Sequence, residues 1–286
     1  MRALLPASAR PLVLLAVPVI LGFLFLFSPT FVWMVQRFEA ADSYYSHGWL
    51  VPFASAWLIW NRRAELARLP LQSSYGGLLL LVPSVLLHIV AIWSRLHFIS
   101  GFMLVTSVWG LVWTFWGRQA AWALRVPLAF LLFMVPLPGV VLIGASFHLK
   151  LAAAALAAKV LSLAGIAAVQ EGSMIRLAHL TVIVDDACSG LRSLVSLVAL
   201  ATLWTTFLPA GTPAWRKLAL AAASVPIALI ANMIRILLLT LIALIWGVPA
   251  SEGFVHYGSG IVIFGIALLV LAWLSRVLAP VRGKEA

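Results

Sequence analysis

Leu218-Ala-Leu-Ala-Ala-Ala-Ser-Val-Pro-Ile-Ala-Leu-Ile-Ala-Asn232-Met-Ile-Arg235-Ile-Leu-Leu-Leu-Thr-Leu-Ile-Ala-Leu-Ile-Trp246 carries one charged side chain, Arg235, over its whole length. A helix needs about 20 apolar residues to cross the hydrocarbon of a bilayer, and this stretch exceeds that. It is no isolated case. Of the 286 residues 64% are hydrophobic and only 9% charged, more apolar material than a soluble core of this size can bury.

Further stretches of the same kind lie near 11–35, 48–61, 74–93, 98–116, 126–145, 188–209 and 258–278. The expected fold is therefore an all-α polytopic membrane protein of about eight transmembrane helices, forming one membrane domain over residues 1–286. The apolar run that follows Arg2 and Arg10 extends to about Val35 without a cleavage site and reads as an uncleaved first span.

Charge sets the orientation. The formal net charge of +11 comes in small groups between apolar runs, so no continuous basic patch for a nucleic acid forms. With eight spans and the N-terminus inside, the cytoplasmic segments collect Arg2, Arg10, Arg62, Arg63, Arg68, Arg118, Arg125, Arg216, Lys217, Arg276, Arg282 and Lys284, twelve of nineteen basic residues. The other side holds Arg37, Arg95, Lys150, Lys159 and Arg176 with six of the eight acids, which satisfies the positive-inside rule.

An alanine-rich segment, 147–165, has the hydropathy to cross, but a crossing there would invert everything after it. It is expected to lie as an interfacial helix on the outer surface. Within residues 168–186, Ser173-Met-Ile-Arg-Leu and Leu180-Thr-Val-Ile-Val alternate or cluster β-branched side chains, and the segment reads as a short extracytoplasmic β-hairpin. His47, His97, His148, His179 and His256 fall on or near the outer side, and His88 in the outer half of the third span.

The single cysteine excludes an internal disulfide and any CxxC redox or metal motif. It stands in Ala187-Cys188-Ser189-Gly-Leu-Arg192-Ser193, where i, i+4 spacing on a helix puts Cys188 and Arg192 on one face, with Ser189, Ser193 and Ser196 as a polar stripe. A buried cysteine also serves as a small hydrophobe, and small serines also serve close helix packing. A helix N-terminus and Arg192 would depress the thiol pKa, whereas Asp185 and Asp186 would raise it; the expectation is a depressed, nucleophilic thiol.

Arg235 is costly in lipid, by about 2.5–3.5 kcal/mol, and shares a face with Asn232. It reads either as a structural arginine tied to carbonyls or an acid, or as a guanidinium facing a pocket where it stabilises an oxyanion or holds a carboxylate. It lies about 17 Å inside the outer helix end, which conflicts with a cysteine near the surface. His256 opens the last span in Gly253-Phe-Val-His-Tyr-Gly-Ser-Gly and reads as a general acid or base or as an interfacial space-filler, with Glu252 as an orienting partner.

Taken in order, Ala187-Cys188-Ser-Gly-Leu-Arg192-Ser, Asn232-Met-Ile-Arg235 and Phe254-Val-His256 resemble the exosortase/archaeosortase family of membrane cysteine transpeptidases. Tyr45-Ser-His47-Gly-Trp-Leu-Val-Pro and Phe130-Leu-Leu-Phe-Met-Val-Pro-Leu-Pro138 also look like family segments, so the resemblance covers about 43–275. It implies Cys188, Arg235 and His256 as catalytic residues, with Arg192, Asn232, Ser189 and His47 in supporting positions. It further implies a sortase-like reaction, without metal or cofactor, at the outer face of the inner membrane. The implied substrates are secreted proteins whose C-terminal tail carries a motif such as Pro-Glu-Pro, a transmembrane helix and a basic cluster. A thioester on Cys188 would pass to an acceptor whose identity the residues do not specify. Lateral access between helices and contact with membrane lipids fit such a substrate. The short basic tail after Pro280 leaves no room for the extra C-terminal domain that some members carry.

Three other readings stand beside it. A transporter or export channel would line an anion path with Arg192 and Arg235. A haem protein would use the outer histidines, although His88 and His97 offer no facing intramembrane pair. An assembly scaffold would not need the thiol.

Overall fold

The computed structural model describes residues 10–40, 43–70, 72–185, 188–209 and 211–278, with side chains from residue 17 onward. Arg2, the Arg10 side chain, Asp42, Asp186, Ala187 and the tail from Pro280, with Arg282 and Lys284, lie outside the described residues. The chain divides into two compact units, one of Met1–Ala40 and Ser46–Pro136, the other of Ala41–Tyr45 and Leu137–Ala286.

The first unit contains α1 (Arg10–Leu26), α2 (Ser28–Glu39), α3 (Leu50–Asn61), α4 (Arg63–Leu66), α5 (Leu78–Trp93), α6 (His97–Ala123) and α7 (Arg125–Phe130). The expected first span, 11–35, is a bent pair: α1 and α2 meet at 57°. Pro29 causes the bend because it has no N–H for the carbonyl four residues back. That carbonyl, of Phe25, instead accepts from the Ser28 hydroxyl at 2.8 Å. The Leu26 carbonyl also loses its helical donor, since the Thr30 N–H bonds to Phe27, and it takes His88 Nε2 at 3.0 Å. With Nε2 donating, His88 Nδ1 accepts from the Ser100 hydroxyl at 2.7 Å, and Ser100 is in turn bonded to Thr30. Three buried polar side chains thus close a break in an apolar helix.

His88 and Ser100 belong to the antiparallel hairpin of α5 and α6. Ser84 bonds Thr106 at 2.8 Å, and Gly110 lies against the backbone of Leu81, where a Cβ would come within 2.9 Å of it. Small residues let the two backbones approach as they do in membrane bundles. The regular helix of α6 breaks at Gly117, whose φ of 88° suits glycine alone, one residue past the expected span end at 116.

The second unit contains α8 (Gly139–Leu163), β1 (Ala168–Glu171), β2 (Met174–Leu177), β3 (Thr181–Ile183), α9 (Leu191–Thr205), α10 (Ala214–Trp246) and α11 (Gly253–Leu278). The helices α9, α10 and α11 share a core of Leu197, Ala201, Leu220, Ala228, Ala267 and Leu271. A second core joins Ala154, Ala157, Ala158 and Leu161 of α8 to Ile175, Leu177 and Val184 of the sheet region and to Ile236 and Leu239 of α10.

Several expectations are corrected. Among the described residues five helices are long and apolar enough to cross a membrane, or six if the bent pair counts as one, against the expected eight. Helix α3 has only 12 residues and α9 only 15, about 18 and 22 Å. The expected span 126–145 does not exist as one helix: α7 and a 3-10 turn, Leu131–Met134, stop before Pro136 and Pro138, and Pro138 caps a new helix, α8. Each proline removes a donor and forces extended backbone on the residue before it. The segment 147–165 is accordingly no separate interfacial helix but the greater part of the 25-residue α8, one of the five long apolar helices. The expected hairpin is a three-stranded antiparallel sheet of order β1-β2-β3, turning first at Gly172 with φ of 62°.

If the His88 bonds hold the bent pair, His88→Leu strands a buried carbonyl and a buried hydroxyl. A loss of about 1–3 kcal/mol is expected, read as a lower thermal midpoint in detergent, with a smaller loss for His88→Gln. An unchanged midpoint for His88→Leu would contradict the assignment.

Candidate active site

The site grows out of the turn that leads from the sheet into α9. Val184, 2% exposed, donates its N–H to the Ser173 carbonyl at 2.9 Å, which ends the ladder. The chain then tightens: the Cys188 N–H bonds to the Asp185 carbonyl at 2.9 Å, and the Ser189 hydroxyl accepts from the Leu191 N–H at 3.3 Å. Gly190 turns into the helix with φ of 79°. A side chain there is excluded twice, by that φ and because a Cβ would lie 2.8 Å from Asn232 Cγ.

Asn232, buried in the middle of α10, donates from Nδ2 to the Cys188 carbonyl at 2.8 Å. One turn along, Arg235 reaches α11 and donates from Nη2 to the His256 carbonyl at 3.2 Å, which also receives the Ser259 hydroxyl at 2.8 Å. Gly260 lies alongside, where a Cβ would meet Arg235 Cζ at 3.4 Å, an ordinary van der Waals contact. His256 in turn places Nε2 3.7 Å from Cys188 Sγ. Three residues separated by 47 and 21 positions in the chain are thus joined through two adjacent contacts.

Cys188 lines a cavity of about 190 Å³ together with Thr181, Ile183, Asp185, Glu252 and His256. Arg235 lines a second, smaller cavity of about 40 Å³ with Ser193, Asn232 and Gly260. Cys188 and His256 thus share one cavity, and Arg235 lines the other.

Two expectations about the cysteine are overturned. Cys188 precedes α9 instead of lying in it, so Cys188 and Arg192 share no helix face; Arg192 is exposed, and no contact joins it to Cys188 among the described residues. The thiol is not depressed either. Burial pushes it up, Arg235 opposes this, and Asp185 adds to it. Removing a thiolate from water costs more than one nearby guanidinium returns. The expected conflict between a deep Arg235 and a superficial Cys188 is met by Asn232, which bonds the Cys188 carbonyl directly, and by Arg235, which bonds the carbonyl of His256 beside the thiol.

Ser189 is 1% exposed and acts as the local cap just described. His47 belongs to the first unit, in the 3-10 turn Ser46–Trp49, where burial pushes its imidazole down and the Phe133 carbonyl partly offsets this. In the second unit Tyr45 accepts the Leu137 N–H on its hydroxyl at 3.2 Å. Gly190, Ser259, Gly260 and the β3 residues are contributors that sequence reasoning did not single out. The glycines were readable only as local permissiveness, since nothing in the sequence pairs Gly190 with Asn232 or Gly260 with Arg235.

A family model described as transmembrane exosortase (Exosortase_EpsH) matches residues 33–273. Neither a curated protein nor a solved structure matches the chain. The family match extends from α2 into the last turns of α11 and spans the long apolar helices, the sheet and the thiol–imidazole contact. This multi-pass membrane protein belongs to the transmembrane exosortase family.

Proposed function

We propose that the chain is a sortase-like cysteine transpeptidase that cuts the C-terminal sorting tails of secreted proteins at the outer face of the inner membrane. The observation that carries this reading is the 3.7 Å approach of Cys188 Sγ to His256 Nε2 inside a cavity, with Arg235 bonded to the same histidine.

The raised thiol sets the order of events. Cys188 rests protonated, and His256 removes the proton as sulfur attacks the scissile carbonyl. A C–S bond forms, and the carbonyl becomes a tetrahedral oxyanion. The positive charge of Arg235 favours both the thiolate and that oxyanion. The C–N bond then breaks, and the proton held by His256 goes to the leaving amine. A thioester is left on Cys188, and an incoming acceptor nucleophile, deprotonated by His256, releases the product and restores the thiol. No cofactor, metal or nucleic acid enters these steps.

Helix lengths support an outward-facing site. Along α10 Arg235 stands about 29 Å from Arg216, and along α11 His256 stands about 30 Å from Arg276. Both separations match the roughly 30 Å hydrocarbon thickness, so basic ends held in the cytoplasm bring both site residues to the opposite interface. Helix α10, 33 residues long, continues past Arg235 to the outer core around Leu239. A substrate held by its own transmembrane helix presents its cleavage motif at that same level. His47, Asn232 and Ser189 take supporting parts in this reading: Asn232 and Ser189 hold the turn that carries the thiol, and His47 lies in a segment shared with the family.

The test uses a tagged reporter bearing a Pro-Glu-Pro motif, an apolar helix and a basic tail, coexpressed with the chain. Cys188→Ala is expected to abolish processing, His256→Ala to slow it by about 10²–10⁴, and Arg235→Ala by about 10²–10³. Processing that survives Cys188→Ala would end the reading.

The thiol carries a second prediction. Deprotonation creates a charge that burial disfavours, so iodoacetamide should modify Cys188 with a pH midpoint above that of an ordinary cysteine. Asp185→Asn should move that midpoint down and Arg235→Ala up. A midpoint below the ordinary thiol range would contradict the proton order given above.

A further inference from the structure

Strand β3 is an edge of the sheet and pairs with β2 alone among the described residues. Its hydrogen-bond parity follows from two bonds that flank it. The Leu177 N–H bonds to the Leu180 carbonyl at 2.9 Å, and the Val184 N–H to the Ser173 carbonyl at 2.9 Å. Pairs 177–180 and 173–184 are thus hydrogen-bonded pairs, and alternation makes 175–182 the third. The remaining residues, Thr181 and Ile183, aim their N–H and C=O groups away from β2.

That free edge meets the site. Thr181 and Ile183 line the same cavity as Cys188 and His256. The strand is held firmly there, because Leu180, Val182 and Val184 point into the core shared with α8 and α10. Backbone donors and acceptors are obligate hydrogen-bonding groups, and open edges are normally covered or guarded by charge, proline or a bulge. Thr181-Val182-Ile183 has none of these, and Ile183 is 60% exposed.

We propose that the free edge of β3 is the docking strand for the segment to be cut, whose extended backbone adds as a further strand and leads into the Cys188 cavity. This rests on the transpeptidase reading and names how its substrate is held. Strand addition takes affinity from main-chain bonds and leaves the alternate side chains to set specificity. An extended chain also suits the chemistry, since it exposes successive carbonyls where a helix would hide them.

The test measures binding separately from cutting. In the full Cys188→Ala chain, a fluorescent peptide of the reporter's cleavage region is titrated in detergent. Thr181→Pro and Ile183→Pro each delete one outward N–H without touching the β2 ladder, and proline is tolerated at such edge positions. Each is expected to raise the Kd about fivefold, as the loss of one hydrogen bond does. A second arm needs no variant: peptides N-methylated at single amides should lose affinity at every other position, because only alternate amides face the edge.

Proline variants that both bind as tightly as the parent Cys188→Ala chain, methylation losses without a two-residue period, or no binding to the Cys188→Ala chain would each overturn the proposal. So would a proline variant that binds normally but turns a dimer into a monomer, which assigns the edge to a second copy. Period-two binding with no cleavage by the wild-type chain would keep the docking strand and sink the transpeptidase reading instead.

Discussion

The amide of Asn232 donates to the carbonyl of Cys188 across 44 residues of sequence, and the site depends on that one bond. The local bonds of the turn between β3 and α9, Cys188 N–H to the Asp185 carbonyl and Leu191 N–H to the Ser189 hydroxyl, do not tie it to another element. A buried hydrogen bond to the middle of a long helix does so, and such a bond is costly to leave unmade. Gly190 is the steric counterpart: the turn can approach Asn232 only where no Cβ intervenes. One turn further along α10, Arg235 anchors the start of α11 by the His256 carbonyl. A single helix face thus sets both halves of the thiol–imidazole contact.

That arrangement also explains why an arginine survives in so apolar a helix. Its depth along α10 suggested a guanidinium far from the surface, yet its partner is a backbone carbonyl in the first turn of α11, close to the helix end. The guanidinium acts on the sulfur through space and on the histidine through a bond. Arg192, equally conspicuous in sequence, is exposed. Proximity to Cys188 in the chain is misleading because α9 begins only after Gly190, so the two residues are not one turn apart on a helix.

Much of the helical framework was legible. The long apolar runs that became α5, α6, α10 and α11 were bounded to within a few residues, since hydrophobic length is a strong signal. The failures lie where the backbone changes direction for local reasons. Pro136 and Pro138 break a run whose hydropathy alone is continuous, and Pro29 bends another. β1 escaped notice because Val169-Gln170-Glu171 has no hydrophobic alternation and is made a strand by pairing with β2. The three residues Cys188, Arg235 and His256 could be named from motifs, but not their mutual contacts, which depend on Gly190 and Asn232.

A sortase-like reaction requires a covalent bond between Cys188 and the substrate acyl group. Mass spectrometry of the purified chain, after brief coexpression with the tagged reporter and acid quenching, measures it directly. The predicted result is a hydroxylamine-labile adduct on Cys188 whose mass equals the reporter cut within its sorting motif. A reporter that is being cleaved while Cys188 stays unmodified, or carries its adduct on another residue, would contradict the account.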